Sequence, residues 1–120
     1  MKFSAFGRYG TEYLVNFVRE EKMVDLEYAH WHLSAIPAQY AGMHDRGVIR
    51  VGSPADILIY DFDQLGWTEA EKTFDLPAGD WRRVTKGIGY RYTLVNGEVT
   101  FVDGENTGAT PGHLLRNGHA

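Results

Sequence analysis

Glycine placement constrains this chain most. Of fourteen glycines none falls between Gly10 and Gly42, whereas eleven lie from Gly47 onward. Glycine weakens helix interiors and permits the positive-φ turns that strand-rich chains need. The chain therefore divides into a helix-compatible first part, residues 1–46, and a turn-rich β-part, residues 47–120. The fold class this predicts is α+β, with helices first and a small β-domain after them.

Periodicity agrees with that division. Over residues 11–21, Leu14, Phe17 and Val18 stand at i, i+3 and i+4, and Thr11 is a candidate cap. A second helix is expected after Asp25, another capping residue, with Leu26, Ala29, Leu33 and Ile36 as its apolar stripe. Pro37 should end it and open a short third helix, residues 37–41, that stops at Gly42. Beyond Gly47 the period falls to 2. Strands are expected at 48–51 and 55–60, with Gly52-Ser53-Pro54 as the turn between them. Residues 57–60 are apolar on both faces and so call for cover on both sides. Residues 63–89 read as an excursion with one strand near 82–85. Asn96-Gly97 then marks a two-residue type I′ hairpin between 91–95 and 98–102. Regular pairing would set Leu94 opposite Val99 and Tyr92 opposite Phe101 on one apolar face. The tail from Glu105 reads as irregular.

Composition excludes several functions. Twelve basic residues against sixteen acidic ones leave a net charge of -4, so neither nucleic acid nor a membrane is an expected partner. With no cysteine, thiolate nucleophiles, disulfides and cysteine-held metal clusters are ruled out, and the chain reads as cytoplasmic. No apolar run approaches the length of a membrane span or a signal peptide.

Candidate chemistry is sparse. His30-Trp31-His32 has the spacing of a metal-binding pair, but only on a strand. On a helix two residues subtend about 200°, so the imidazoles diverge, and we expect one packed and one solvated. His44, His113 and His119 share no spacing. Glu20-Glu21 and the pair Glu69 and Glu71 read as solvated surface. Gly87-Ile88-Gly89 begins like a dinucleotide fingerprint, but Tyr92 stands where the third glycine should, and a strand follows. Neither a Gly-x-Ser-x-Gly elbow nor a phosphate loop occurs. We assign no catalytic residue, no cofactor-binding residue and no metal ligand to this chain.

The run Gly47-Val48-Ile49-Arg50-Val51-Gly52-Ser53-Pro54-Ala55-Asp56 closely resembles a C-terminal signature of metal-dependent amidohydrolases. The preceding Ser34-Ala35-Ile36-Pro37-Ala38-Gln39-Tyr40-Ala41-Gly42 is similar to the helix before that signature. Val95-Asn96-Gly97-Glu98-Val99 and the stretch from Asp103-Gly104 through Thr107-Gly108-Ala109-Thr110-Pro111-Gly112 resemble the end of N-acyl-D-amino-acid deacylases. This resemblance implies the C-terminal segment of an enzyme with a (β/α)8 barrel and a β-sandwich, hydrolysing amide C–N bonds through a metal-activated water. Zinc is then expected in a full-length relative but not in this segment. The resemblance gives Gly47 and Gly52 the tight turns flanking a short strand, Ala55 close backbone packing and Asp56 bonds to nearby turn N–H groups. The segment alone should be inactive. Its expected partner is itself, as a homo-oligomer, or the missing barrel of the same enzyme. The alternative is a free-standing, self-associating α+β interaction module.

Overall fold

The structure, a computed structural model, describes residues 7–116. Helix α1 runs through Tyr9–Glu12 and continues with the wider π winding of Tyr13–Glu20. Its buried stripe is Thr11, Leu14, Val15 and Val18. These are i, i+3, i+4 and i+7, so Val15 takes the place expected for Phe17, which is exposed. Thr11 is not a cap. It lies inside the helix, and its hydroxyl meets the Tyr90 hydroxyl at 2.6 Å.

Helix α2 starts at Leu26 with Asp25 extended before it, though the aspartate side chain makes no cap bond. It continues as one rod through Leu26–His30, π-wound Trp31–Ala35 and Ile36–Tyr40. The separate third helix expected at Pro37 is therefore absent. The π turn just ahead of Pro37 re-spaces the carbonyls that its ring would strike, so the proline enters the first turn of the last α segment. Gly42, at φ 73°, ends the rod as the sequence suggested.

Among the described residues eight strands follow: β1 Ile57–Tyr60, β2 Gly66–Trp67, β3 Glu71–Thr73, β4 Arg82–Val84, β5 Gly87–Ile88, β6 Tyr90–Val95, β7 Glu98–Val102 and β8 Glu105–Asn106. An antiparallel sheet has the order β1-β6-β7-β8. The excursion is more regular than its composition suggested. The pairs β2–β5 and β3–β4 lie in line along one arm. Between them Thr68 N–H donates to Lys86 O at 2.9 Å, and Lys86 N–H donates to Thr68 Oγ1 at 3.0 Å. Arg82 grips Asp75 twice near the tip, at 2.8 and 2.6 Å.

The hairpin turn forms with positive φ at both Asn96 and Gly97, the type I′ signature. Leu94 faces Val99 as expected, but Tyr92 faces Val102 and Phe101 faces Thr93. A bulge at Thr100 causes the slip. Its buried hydroxyl donates to Thr93 O at 3.1 Å, and the extra residue sends Phe101 to the other face. The tail is likewise less irregular than expected, because β8 adds to β7.

Residues 48–51 are not a strand. None of the described strands runs beside them, and Ile49 and Val51 are 90% and 103% exposed. The second expected strand begins only at Ile57, because Asp56 is engaged with the hairpin turn. Nor is β1 covered on both sides, since Leu58 and Ile59 are each nearly half exposed. The helices reach β1 at its last residue, Tyr60, and leave Leu58 and Ile59 uncovered. Leu14, Val15, Val18, Ala29 and Leu65 form the core, flanked by Tyr13, Leu33, Tyr60, Phe62, Trp67 and Tyr90. Burying each large side chain there is worth about 1.5–3 kcal/mol. Arg19 locks this core from outside, its Nη1 donating to the carbonyls of Phe62, Asp63 and Leu65 at 3.0, 3.1 and 2.8 Å.

Candidate functional site

Two polar nodes join the helices to the sheet. In the first, His30 Nε2 and the Tyr60 hydroxyl share a hydrogen bond of 2.5 Å. Tyr60 meets Tyr90 edge-on at 6.3 Å between ring centres, and Tyr90 bonds Thr11 from α1. Burial, and then the neighbouring Tyr90, raise the Tyr60 phenol above its ordinary value. It therefore stays protonated and serves the histidine as a neutral partner. The pair can hold a proton in place, with the Tyr90 ring beside it.

The second node is centred on Asp56. Its Oδ1 accepts the Asn96 N–H at 2.9 Å, and its Oδ2 pairs with the Arg46 guanidinium. Beside it the Gly97 N–H donates to Ala55 O at 3.0 Å. Gly47 lies against α2 so closely that a Cβ would stand 2.7 Å from Ser34 O and 2.9 Å from Ala35 Cα. The signature residues thus fasten the hairpin turn and the chain after α2 to each other. Between the nodes lies a cleft of about 640 Å³, bounded by His30, Trp31 and Ser34 of α2, by residues 46–50 and by Leu58 and Tyr60 of β1.

The two histidines of the His-x-His pair diverge. His30 is half-buried on Tyr60, whereas His32 is exposed and stacks on Tyr28 at 6.0 Å and 9°. His44 and His113 are exposed and apart from both, and His119 lies outside the described residues. Glu20, Glu21, Glu69 and Glu71 are all exposed. Among the described residues no three histidine or carboxylate side chains gather as a metal site would require. These residues do not fit the metal centre that the resemblance implies for the complete enzyme. Nor is any helix among them long and apolar enough to cross a membrane. Reading the sequence alone missed Tyr60, Tyr90 and Arg19, whose partners lie thirty to seventy-nine residues away. Nothing local announces them.

The turn-fastening Asp56 closes a Gly-x-Ile-x-x-Gly-x-x-Ala-Asp run, and the amidohydrolase family profile matches residues 2–101. The chain belongs to the amidohydrolase family. Within it the likeness is to the D-aminoacylase type. The chain is 35% identical to N-acyl-D-aspartate deacylase and 33% identical to N-acyl-D-glutamate deacylase, both of Alcaligenes xylosoxydans xylosoxydans. These matches cover 92% and 88% of this chain but 20% of each relative. It is also 33% identical to dihydroorotase of Lactobacillus gasseri, over 88% of this chain and 24% of that enzyme. The chain thus spans about a fifth to a quarter of the relatives' length. No solved structure matches it significantly.

Proposed function

We propose that this chain is the C-terminal part of a metal-dependent amidohydrolase that cleaves the amide C–N bond of N-acylated amino acids. It supplies closing helices and β-layer strands to that enzyme and leaves the chemistry to the rest of the polypeptide. In the reaction water adds to the acyl carbon, the C–N bond breaks, and a carboxylate and an amine depart. The barrel that would hold zinc and the reacting groups is this segment's natural partner. One observation carries the reading: 92% of the chain aligns with a fifth of N-acyl-D-aspartate deacylase. The bonding of Asp56 supports a structural role for the signature.

The test is a chimaera in which this chain replaces its matching segment in that deacylase. A folded chimaera that turns over N-acyl-D-amino acids within about tenfold of the parent, a barrier change of about 1.4 kcal/mol, supports the reading. A folded but inert chimaera overturns it. The 120-residue chain alone is expected to show no turnover with added zinc, and chelator-sensitive activity in it would overturn the division of labour.

A further inference from the structure

The tip of the β6–β7 hairpin carries a chemistry that the hydrolase reading does not use. Asn96 and Gly97 are both exposed, and an asparagine followed by glycine can react with itself. Gly97 has no Cβ to crowd its backbone nitrogen, which can attack Asn96 Cγ. A C–N bond forms and closes a five-membered succinimide. The Cγ–Nδ2 bond breaks, and ammonia leaves with the proton that the Gly97 nitrogen gives up. Water then opens the ring at either carbonyl, leaving aspartate or isoaspartate at position 96. In balance, one water enters and one ammonia departs. The folded turn withholds the groups this reaction needs. Gly97 N–H donates to Ala55 O at 3.0 Å, and Asn96 Nδ2 donates to Pro111 O at 2.7 Å. Asn96 N–H donates to Asp56 Oδ1 at 2.9 Å and pins the backbone of the turn. The Asp56 carboxylate also opposes loss of a proton from an amide beside it.

We propose that Asn96-Gly97 is a site of spontaneous deamidation, held shut by Asp56 and exposed to reaction when the turn lets go of residues 55–56. The bonds that protect it come from residues as far as forty positions away, so the pair is reactive by sequence and quiet by fold. All three lie within this chain, and the gate holds whatever a longer polypeptide lays over the sheet. The products differ from the parent in ways the structure defines. Aspartate itself suits such a turn, since Asp103-Gly104 adopts the same pair of positive φ values, 46° and 85°. A carboxylate at position 96 would thus keep the turn, but it would lose the N–H that holds Pro111 O and would add a charge beside Asp56. Isoaspartate would add a carbon to the backbone, which a two-residue turn does not absorb. Either product unfastens the tail from the hairpin, and neither reverts. The extent of deamidation therefore records how long Asp56 has been disengaged. The site stands independently of the catalytic reading, and failure of the chimaera would leave it untouched.

The test incubates the 120-residue chain in mildly alkaline buffer, native and in guanidinium chloride, and follows the amide-to-acid mass gain by tryptic mapping. Trypsin leaves residues 92–116 in one peptide, apart from Asn117-Gly118, and fragment ions separate Asn96 from Asn106. The unfolded chain should deamidate at Asn96 at least about tenfold faster than the native one. Under native conditions Asp56→Ala should react at least about tenfold faster than the parent, because reaction through an open state tracks its population. Val18→Ala, which weakens the core away from the turn, should stay within about twofold of the parent. If Asp56→Ala does not fold, Asp56→Asn takes its place, with an expected acceleration of about fivefold. Equal rates in the native and unfolded parent would overturn the proposal, as would no reaction in guanidinium. So would Val18→Ala matching the Asp56 variant, because the turn would then open only with the whole domain.

Discussion

Truncating Asp56 to alanine tests whether the signature works as a fastener. The substitution removes the acceptor of the Asn96 N–H and the partner of Arg46 at once. Hydrogen bonds to a charged group contribute about 1.5–3 kcal/mol each when buried. Here the arginine side chain is 14% exposed and the aspartate 37%, so solvent screening discounts the sum. Arg46 keeps one further carboxylate, Asp45, at 3.8 Å, and water can reach the turn. A loss of about 2 kcal/mol follows, which for a domain of this size lowers Tm by about 8 °C. Asp56→Asn keeps an oxygen for the turn while giving up the charge, and should lose about 1 kcal/mol. Urea unfolding followed by circular dichroism measures both, and amide exchange at Asn96 and Gly97 reports the turn directly. If Asp56→Ala unfolds within 0.5 kcal/mol of the parent, the scatter of ordinary surface changes, with those amides still protected, the fastening argument is wrong.

Three further outcomes are expected. Gly47→Ala puts a methyl into Ser34 and Ala35 at φ 82° and should destabilise by about 2 kcal/mol or more, whereas Gly52→Ala, with open space around it, should pay only the backbone strain. Raising the pH through the ordinary tyrosine range should cost stability. Tyr60 ionises later in the folded chain than in the unfolded one, so its contribution is complete below the unfolded value and fades as pH rises toward the folded one; Tyr60→Phe should remove that alkaline step from a pH series of urea midpoints. His30→Ala and His32→Ala should each leave the zinc content of the purified chain unchanged, as read by atomic absorption, and stoichiometric zinc lost in either would show that the helix geometry was misjudged.

Two helices, the hairpin turn and the divergence of His30 from His32 could be read locally. Each depends on residues near in sequence: the stripe at Leu14 and Val18, positive φ at Asn96 and Gly97, and the rotation between His30 and His32. The misreadings share a different cause. Thr100 shifts the hairpin register because Thr107, which donates to Val99 O at 2.8 Å, and β8 hold the chain beyond it. Thr11 leaves its capping role for a tyrosine seventy-nine residues away. Residues 48–51 have the composition of a strand, but pairing needs a neighbour, and a period of two carries no information about who that neighbour is. The resemblance gave Asp56 nearby turn N–H groups, but the turn it holds is the distant hairpin, with its partners Arg46 and Asn96 ten and forty residues off.

The arm from Gly66 to Ile88 has an engineering consequence. Its base is shut by β2–β5 and by the two Thr68–Lys86 bonds, and its tip is stapled separately by Arg82 on Asp75. The ends of the tip loop are thus already held together before anything is placed between them. Lengthening a loop so closed costs only about 0.6 kcal/mol per doubling. A peptide tag or a small domain inserted after Ala78, itself exposed and in a left-handed turn at φ 60°, would ride at the end of the arm. The packing of Leu14, Val18 and Leu65 would not register the cargo, which makes the tip the chain's natural port for grafting.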